Sequence, residues 1–210
     1  MTATCSEKEF EKGRDRVKLN LPNKLTLLRV LLVPVFMVFA ALSHFGKSDF
    51  SPVLSLLAAA VFALASITDY LDGHLARKYD LITDFGKFTD PLADKMLTTA
   101  ALIFMTVDGV CSPVVLAVVL FREFAVAGVR MIAASSQKVI AANMWGKVKT
   151  VLQMVTVLVY YVSCGLLSRW VGAGLISLTT QILCWLVAAV TVLSGGKYLW
   201  DNRDVLSGEK

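Results

Sequence analysis

The chain is short of the residues on which most metal and redox sites depend. Only two histidines occur, His44 and His74, which excludes a histidine-rich metal site by count. Its four cysteines, Cys5, Cys111, Cys164 and Cys184, lack the paired spacing of a zinc site or a redox dithiol, so no role falls to them. Charge is also scarce, at 18% of residues, against roughly 25% in soluble domains. No internal repeat or low-complexity tract is visible, and no composition shift marks a second domain. The first residues are polar and of mixed charge, and the first apolar run exceeds a signal-peptide core, so a cleaved leader is not expected.

What is abundant is hydrocarbon. Apolar residues make up 56% of the 210, and apolar stretches at 25–42, 52–67, 92–107, 113–131, 148–167 and 172–193 each run close to the ~20 residues that a spanning helix needs. These features predict an all-α, polytopic membrane protein with six transmembrane helices. Residues 1–24 form a juxtamembrane segment, 25–200 the membrane domain and 201–210 a tail. Phe10, Val17, Leu19 and Leu21 among charges suit an amphipathic helix at the interface, with a disordered tail as the alternative. The second stretch becomes long enough only if its helix continues past Ile67. Pro34 is expected to kink the first helix.

Orientation follows from the cations. They gather before and just inside helix 1 (Lys8 to Arg29), between helices 2 and 3 (Arg77, Lys78, Lys87, with Lys95 just beyond), between helices 4 and 5 (Lys138, Lys147, Lys149), and in the tail. The opposite connections offer Lys47 and Arg169. Both termini are therefore expected on the cytoplasmic side of the inner membrane. The net charge of +5 reads as attraction to anionic lipid, about 1 kcal/mol per cation near the surface. Nucleic acid is not an expected partner, because the cations are dispersed and lack interleaved exposed aromatics.

Between positions 69 and 94 lie six aspartates, four of which, Asp69, Asp72, Asp90 and Asp94, fall in two pairs at helical spacing. At about 100° per residue each pair shares one helix face, so two helix ends could present four carboxylates to one point. A carboxylate near hydrocarbon costs roughly 2.5–3.5 kcal/mol at a helix centre, so the cluster should face water or cations. Oxygen donors favour Mg²⁺ or Mn²⁺. Gly73 and Gly86 allow close approach of a ligand or a neighbouring backbone, although they could serve helix packing alone. Arg77 brings donors suited to phosphate, so cations and arginine together point to a phosphorylated substrate. A second cationic set, Arg122, Arg130, Lys147 and Lys149, could neutralise an acceptor phosphate; alternatively Arg122 pairs with Glu123 and the others mark the cytoplasmic edge. Asp80 and Asp84 read as solvated loop charges, and Trp170, Trp185 and Trp200 as interface anchors.

Asp69-x-x-Asp72-Gly73-x-x-Ala76-Arg77, eight residues, Gly86, three residues, Asp90, three residues and Asp94 resembles the signature of the CDP-alcohol phosphotransferase family at every fixed position. The resemblance implies a six-helix membrane enzyme that moves a phosphatidyl or similar group from a CDP-linked donor to an alcohol and releases CMP. By similarity, Asp69, Asp72, Asp90 and Asp94 hold two divalent ions (Mg²⁺ or Mn²⁺), and Asp94 is also the general base. Gly73, Ala76, Arg77 and Gly86, with Asp69, form the nucleotide pocket. Pro22 to Arg29, Phe88 to Lys95, Arg122-Glu123-Phe124, Gly128-Val129-Arg130 and Gly146 to Thr150 are similar to the bacterial phosphatidylglycerophosphate-synthase branch of that family. That likeness implies CDP-diacylglycerol as donor and sn-glycerol 3-phosphate as acceptor, with the acceptor phosphate on Arg122, Arg130, Lys147 and Lys149. It further implies nucleotide contacts from Asn23 and Thr26, which could instead cap helix 1, and a homodimer. Two alternatives stay open: a sibling transferase that uses phosphatidylglycerol, inositol phosphate or serine, and a divalent-ion transport protein.

Overall fold

The computed structural model describes the backbone of residues 21–45, 51–78, 84–135 and 144–203, and the side chains of 27–44, 51–69, 95–133 and 144–203. Among the described residues six helices follow one another: α1 (Leu21–Phe45), α2 (Ser51–Lys78), α3 (Asp84–Val107), α4 (Pro113–Ser135), α5 (Met144–Val162) and α6 (Ala173–Asp201). A single π-helical turn, Ser163–Leu167, ends α5. The chain is a multi-pass membrane protein. Among the described residues, four helices carry apolar windows long enough to cross a bilayer by length and composition.

Several helices are longer than their hydrophobic runs. With 28 residues α2 spans about 42 Å, more than the ~30 Å hydrocarbon core. Its apolar span ends at Asp69, and the rest of the helix carries Asp72 to Lys78. Hydropathy stops there; hydrogen bonding does not. In the same way α3 begins at Asp84, which places that residue at a helix start instead of in a loop. An acidic residue there suits the positive end of the helix dipole. α6 runs on to Asp201 through Gly195 and Gly196, beyond the end expected at 193. α1 begins at Leu21, so Asn23 and Thr26 lie within its first turns. α1 also continues helically through Pro34.

The core forms where each helix turns one stripe inward. α1 contributes Val33, Phe36 and Ala40, and α2 contributes Ala58, Phe62 and Ala65, at spacings of three and four. Phe36 meets Phe62 at 5.7 Å between ring centres and Tyr161 of α5 at 5.5 Å. Small residues on α2 let α1 approach closely, as packing within lipid requires. Leu31, Leu64, Phe121 and Trp170 are exposed and suit the lipid-facing side. Two buried hydroxyls return to their own helices: Thr156 Oγ1 donates to Leu152 O at 2.8 Å and Thr180 Oγ1 to Ile176 O at 2.8 Å. That satisfies them without a partner helix.

The π-turn owes its fit to a missing side chain. A Cβ on Gly165 would stand 2.3 Å from Leu56 Cγ and 2.9 Å from Pro52 O, and the carbonyl cannot swing aside. Gly165→Ala is therefore expected to destabilise the protein by about 1–3 kcal/mol. Thermal unfolding in detergent measures this, and an unchanged melting temperature would count against the close α2–α5 contact.

Contacts at each end fix the direction of the bundle. Ser51 Oγ donates to Ser43 O at 2.8 Å, and the α3–α4 turn, with Gly109 at φ +75°, brings Asp108 to His44. Tyr160 of α5 donates to Asp108 Oδ2 at 2.7 Å. The C-terminal ends of α1, α3 and α5 thus meet the N-terminal end of α2 at one end of the bundle. At the other end lie the polar clusters described next.

Candidate active site

Among the described side chains of α1, the buried stripe is apolar except at one position. Arg29, Val33, Phe36 and Ala40 share that stripe, and Arg29 is completely buried. A buried guanidinium requires an anion. It finds one across the α1–α2 contact: Arg29 Nη1 lies 2.7 Å from Asp69 Oδ1. Asp69 continues the stripe of Ala58, Phe62 and Ala65 on α2, so the period that builds the core also delivers the first aspartate of the motif to Arg29. The Asp69 side chain is 36% exposed and can be reached from the end of the bundle.

The helical backbone carries the rest of the motif. Asp72, Gly73, Ala76 and Arg77 lie in the last turns of α2, and Gly86, Asp90 and Asp94 in the first turns of α3. Their side chains, with those of Asn23 and Thr26, lie outside the described residues, as does Asp80. The four-residue steps from Asp90 to Asp94 on α3 and from Ala65 to Asp69 on α2 match the helical period. As a donor set the four acids offer only oxygen, which fits a hard divalent cation.

A second polar cluster joins α3, α4 and α5. Glu123 of α4 receives Lys149 Nζ on Oε1 at 2.7 Å and Arg122 Nη1 on Oε1 at 3.1 Å, while Lys95 Nζ lies 3.7 Å from Oε2. The Lys149 side chain is 4% exposed and the Glu123 side chain 19%. Arg122 is held further by α6, where Nη2 donates to Ser194 Oγ at 2.9 Å. Its stem crosses a gap left by glycine, since a Cβ on Gly195 would stand 2.8 Å from Arg122 Cγ. One on Gly146 of α5 would stand 3.3 Å from Arg122 Nη2.

Of the four cations expected at an acceptor phosphate, the structure gathers two. Arg122 and Lys149 share Glu123, as above. Arg130 instead sits over the Tyr198 ring, 5.8 Å from its centre, and the Lys147 side is exposed. Arg122 also makes the pairing with Glu123 that its sequence neighbour allowed. Sequence reasoning did not assign Arg29, Lys95, Glu123 or Ser194 to the site. A charge in phase with the apolar stripe of α1 was the available signal for Arg29; the others meet only through the packing of separate helices.

One cavity borders the Glu123 cluster and another lies at the opposite end of the bundle. A groove of about 460 Å³ between α4 and α6, lined by Ala117, Phe121, Ala125, Val192 and Gly196, opens beside Arg122. At the far end of the bundle a polar cavity of about 390 Å³ surrounds the His44–Asp108–Tyr160 network.

The sequence profile described as CDP-alcohol phosphatidyltransferase matches residues 19–193. A Bacillus subtilis (strain 168) protein named CDP-diacylglycerol--glycerol-3-phosphate 3-phosphatidyltransferase is 40% identical over 193 residues, covering 89% of this chain and 97% of that protein. A Rickettsia bellii protein of the same name is 34% identical over 179 residues, 85% of this chain and 93% of its own length. A Mycobacterium tuberculosis protein named probable phosphatidylglycerophosphate synthase is 42% identical over 145 residues, 69% of this chain and 66% of that protein.

Proposed function

The chain belongs to the CDP-alcohol phosphatidyltransferase family, and on that premise we propose that it transfers the phosphatidyl group of CDP-diacylglycerol to sn-glycerol 3-phosphate, forming phosphatidylglycerophosphate and CMP. The observation that carries this reading is the near end-to-end relation, at 40% identity, to a protein named for that reaction. The complete aspartate signature on α2 and α3 supports it.

In this reading the work is divided by helix. Asp69, Asp72, Asp90 and Asp94 would hold two divalent cations, Mg²⁺ or Mn²⁺, which supply charge neutralisation at the donor diphosphate and at the attacking and leaving oxygens. Arg29 pairs with Asp69 and orients it from inside the bundle. Arg77 binds donor phosphate, and Gly73, Ala76 and Gly86 leave room for the cytidine, with Asn23 and Thr26 on α1 beside it. Asp94 removes the proton from the acceptor hydroxyl as its oxygen attacks the lipid-side phosphorus and CMP departs. Arg122 and Lys149 face the acceptor phosphate, with Arg130 and Lys147 nearer the rim. The apolar groove beside Arg122 suits a lipid chain.

The site and both termini face the cytoplasm at the inner membrane, as the distribution of cations supports. A homodimer belongs to the same reading, on the strength of the family resemblance, and light scattering of the detergent-solubilised protein tests it. A cationic cluster of Lys95, Arg122 and Lys149 on a single carboxylate favours an anionic acceptor over serine. CMP release is measured with sn-glycerol 3-phosphate, phosphatidylglycerol, inositol phosphate and serine in turn. Saturable release with sn-glycerol 3-phosphate alone is expected. Release with serine, or divalent-ion flux in vesicles without CMP, would overturn the reading.

A further inference from the structure

Glu123 holds together more than its sequence neighbour requires. Cations from three helices converge on one carboxylate: Lys95 of α3 at 3.7 Å, Arg122 of α4 at 3.1 Å and Lys149 of α5 at 2.7 Å. Among the described residues, three cations meet on this one carboxylate. A phosphate monoester carries about −1.5 to −2 at neutral pH and suits a seat rich in such cations. Three cations alone would repel one another and spread apart. A shared carboxylate keeps them within reach of one small anion and still leaves the seat positive.

The surroundings hold the cluster in place. Arg122 is pinned by Ser194 and threaded past Gly146 and Gly195, so its guanidinium has little freedom. Lys149 is almost wholly buried, whereas the Lys95 side chain is 37% exposed, which leaves one side of the cluster open. Lys95 also directly follows Asp94 in α3, so the same helix serves the proposed base and the cationic cluster.

We propose that Glu123 is a positioning residue for the acceptor, its carboxylate drawing Lys95, Arg122 and Lys149 into one seat for a phosphate monoester, with Lys95 as a member that directly binds it. This deepens the assignment of sn-glycerol 3-phosphate as acceptor and rests on it. Charge alone predicts the opposite outcome for Glu123→Gln, because removing an anion makes the seat more positive and should tighten phosphate binding. Positioning predicts weaker binding. The two effects differ in sign.

The test uses the full-length protein in detergent with CDP-diacylglycerol, following initial rates of CMP release. Glu123→Gln is expected to raise KM for sn-glycerol 3-phosphate by about tenfold or more, the equivalent of one charge-assisted hydrogen bond. KM for CDP-diacylglycerol and kcat should stay near wild type, and Glu123→Asp should recover part of the loss. Lys95→Met should raise the same KM. Its effect should not add to that of Glu123→Gln, because the residues act as a unit. Should Glu123→Gln fail to accumulate, Lys95→Met and Glu123→Asp carry the same measurement. A lowered KM for the acceptor, or equal losses for both substrates with a fallen melting temperature, would overturn the proposal. If wild-type protein shows no saturable response to sn-glycerol 3-phosphate, the acceptor assignment itself fails, and that outcome is distinct from either result for Glu123.

Discussion

Asp94→Asn is expected to lower kcat by about 10³-fold or more while the protein still folds. Loss of a general base alone accounts for roughly 10²–10⁴-fold. Asparagine also removes a negative charge from the proposed cation site, so the larger end of that range applies. The position lies ten residues into α3, in the turns that precede the buried stripe of Leu97, Ala101 and Met105. Substitution there should leave the core intact, and thermal unfolding should match wild type. Near wild-type turnover by the purified variant would refute Asp94 as the base, whereas the cation assignment could survive through the other three acids.

The second large effect is structural first and catalytic second. Arg29→Met removes the cation from a pair in which the arginine is fully buried and Asp69 sits at the end of the apolar span of α2. Breaking a buried pair by removing one partner costs about 3–5 kcal/mol, because the survivor is left uncompensated. Here Asp69 keeps some exposure to water, so the lower end, about 3 kcal/mol, is the better figure. For a chain of this size that corresponds to a melting temperature lower by on the order of 6–12 °C. Activity should fall as well, since Asp69 loses the contact that orients it. Arg29→Lys should recover stability only in part, because an ammonium is a point charge without the planar fork of arginine. An unchanged melting temperature in Arg29→Met would show that the pair contributes nothing to the fold.

How much of this was legible beforehand depended on the distance over which each signal acts. The aspartate motif and the six apolar stretches are local patterns, and α2 continues past Ile67 as its length required. Helix ends were harder. Asp84 to Asp90 and Ser194 to Asp201 lose hydropathy but keep their helical hydrogen bonds, and Arg122 packs against Gly195 within the second of these stretches. The Glu123 cluster was less visible still. Only the adjacency of Arg122 and Glu123 appears in the sequence; Lys95 and Lys149 stand 28 and 26 positions away and arrive through the packing of α3 and α5 on α4. The same holds for His44, Asp108 and Tyr160, brought together from α1, the α3–α4 turn and α5 at the far end of the bundle. Arg29 was the exception. Its phase with Val33 and Phe36 was open to inspection, and a buried charge in that phase implies a partner.

The central claim of the proposed function is that Asp69 and Asp72 of α2 and Asp90 and Asp94 of α3 act through divalent cations. Transfer from CDP-diacylglycerol to sn-glycerol 3-phosphate, followed as radiolabelled lipid product in detergent micelles, addresses it directly when run with and without excess EDTA. The expected result is a fall to background in chelator and recovery when Mg²⁺ or Mn²⁺ is restored. Transfer that continues undiminished in EDTA would contradict it.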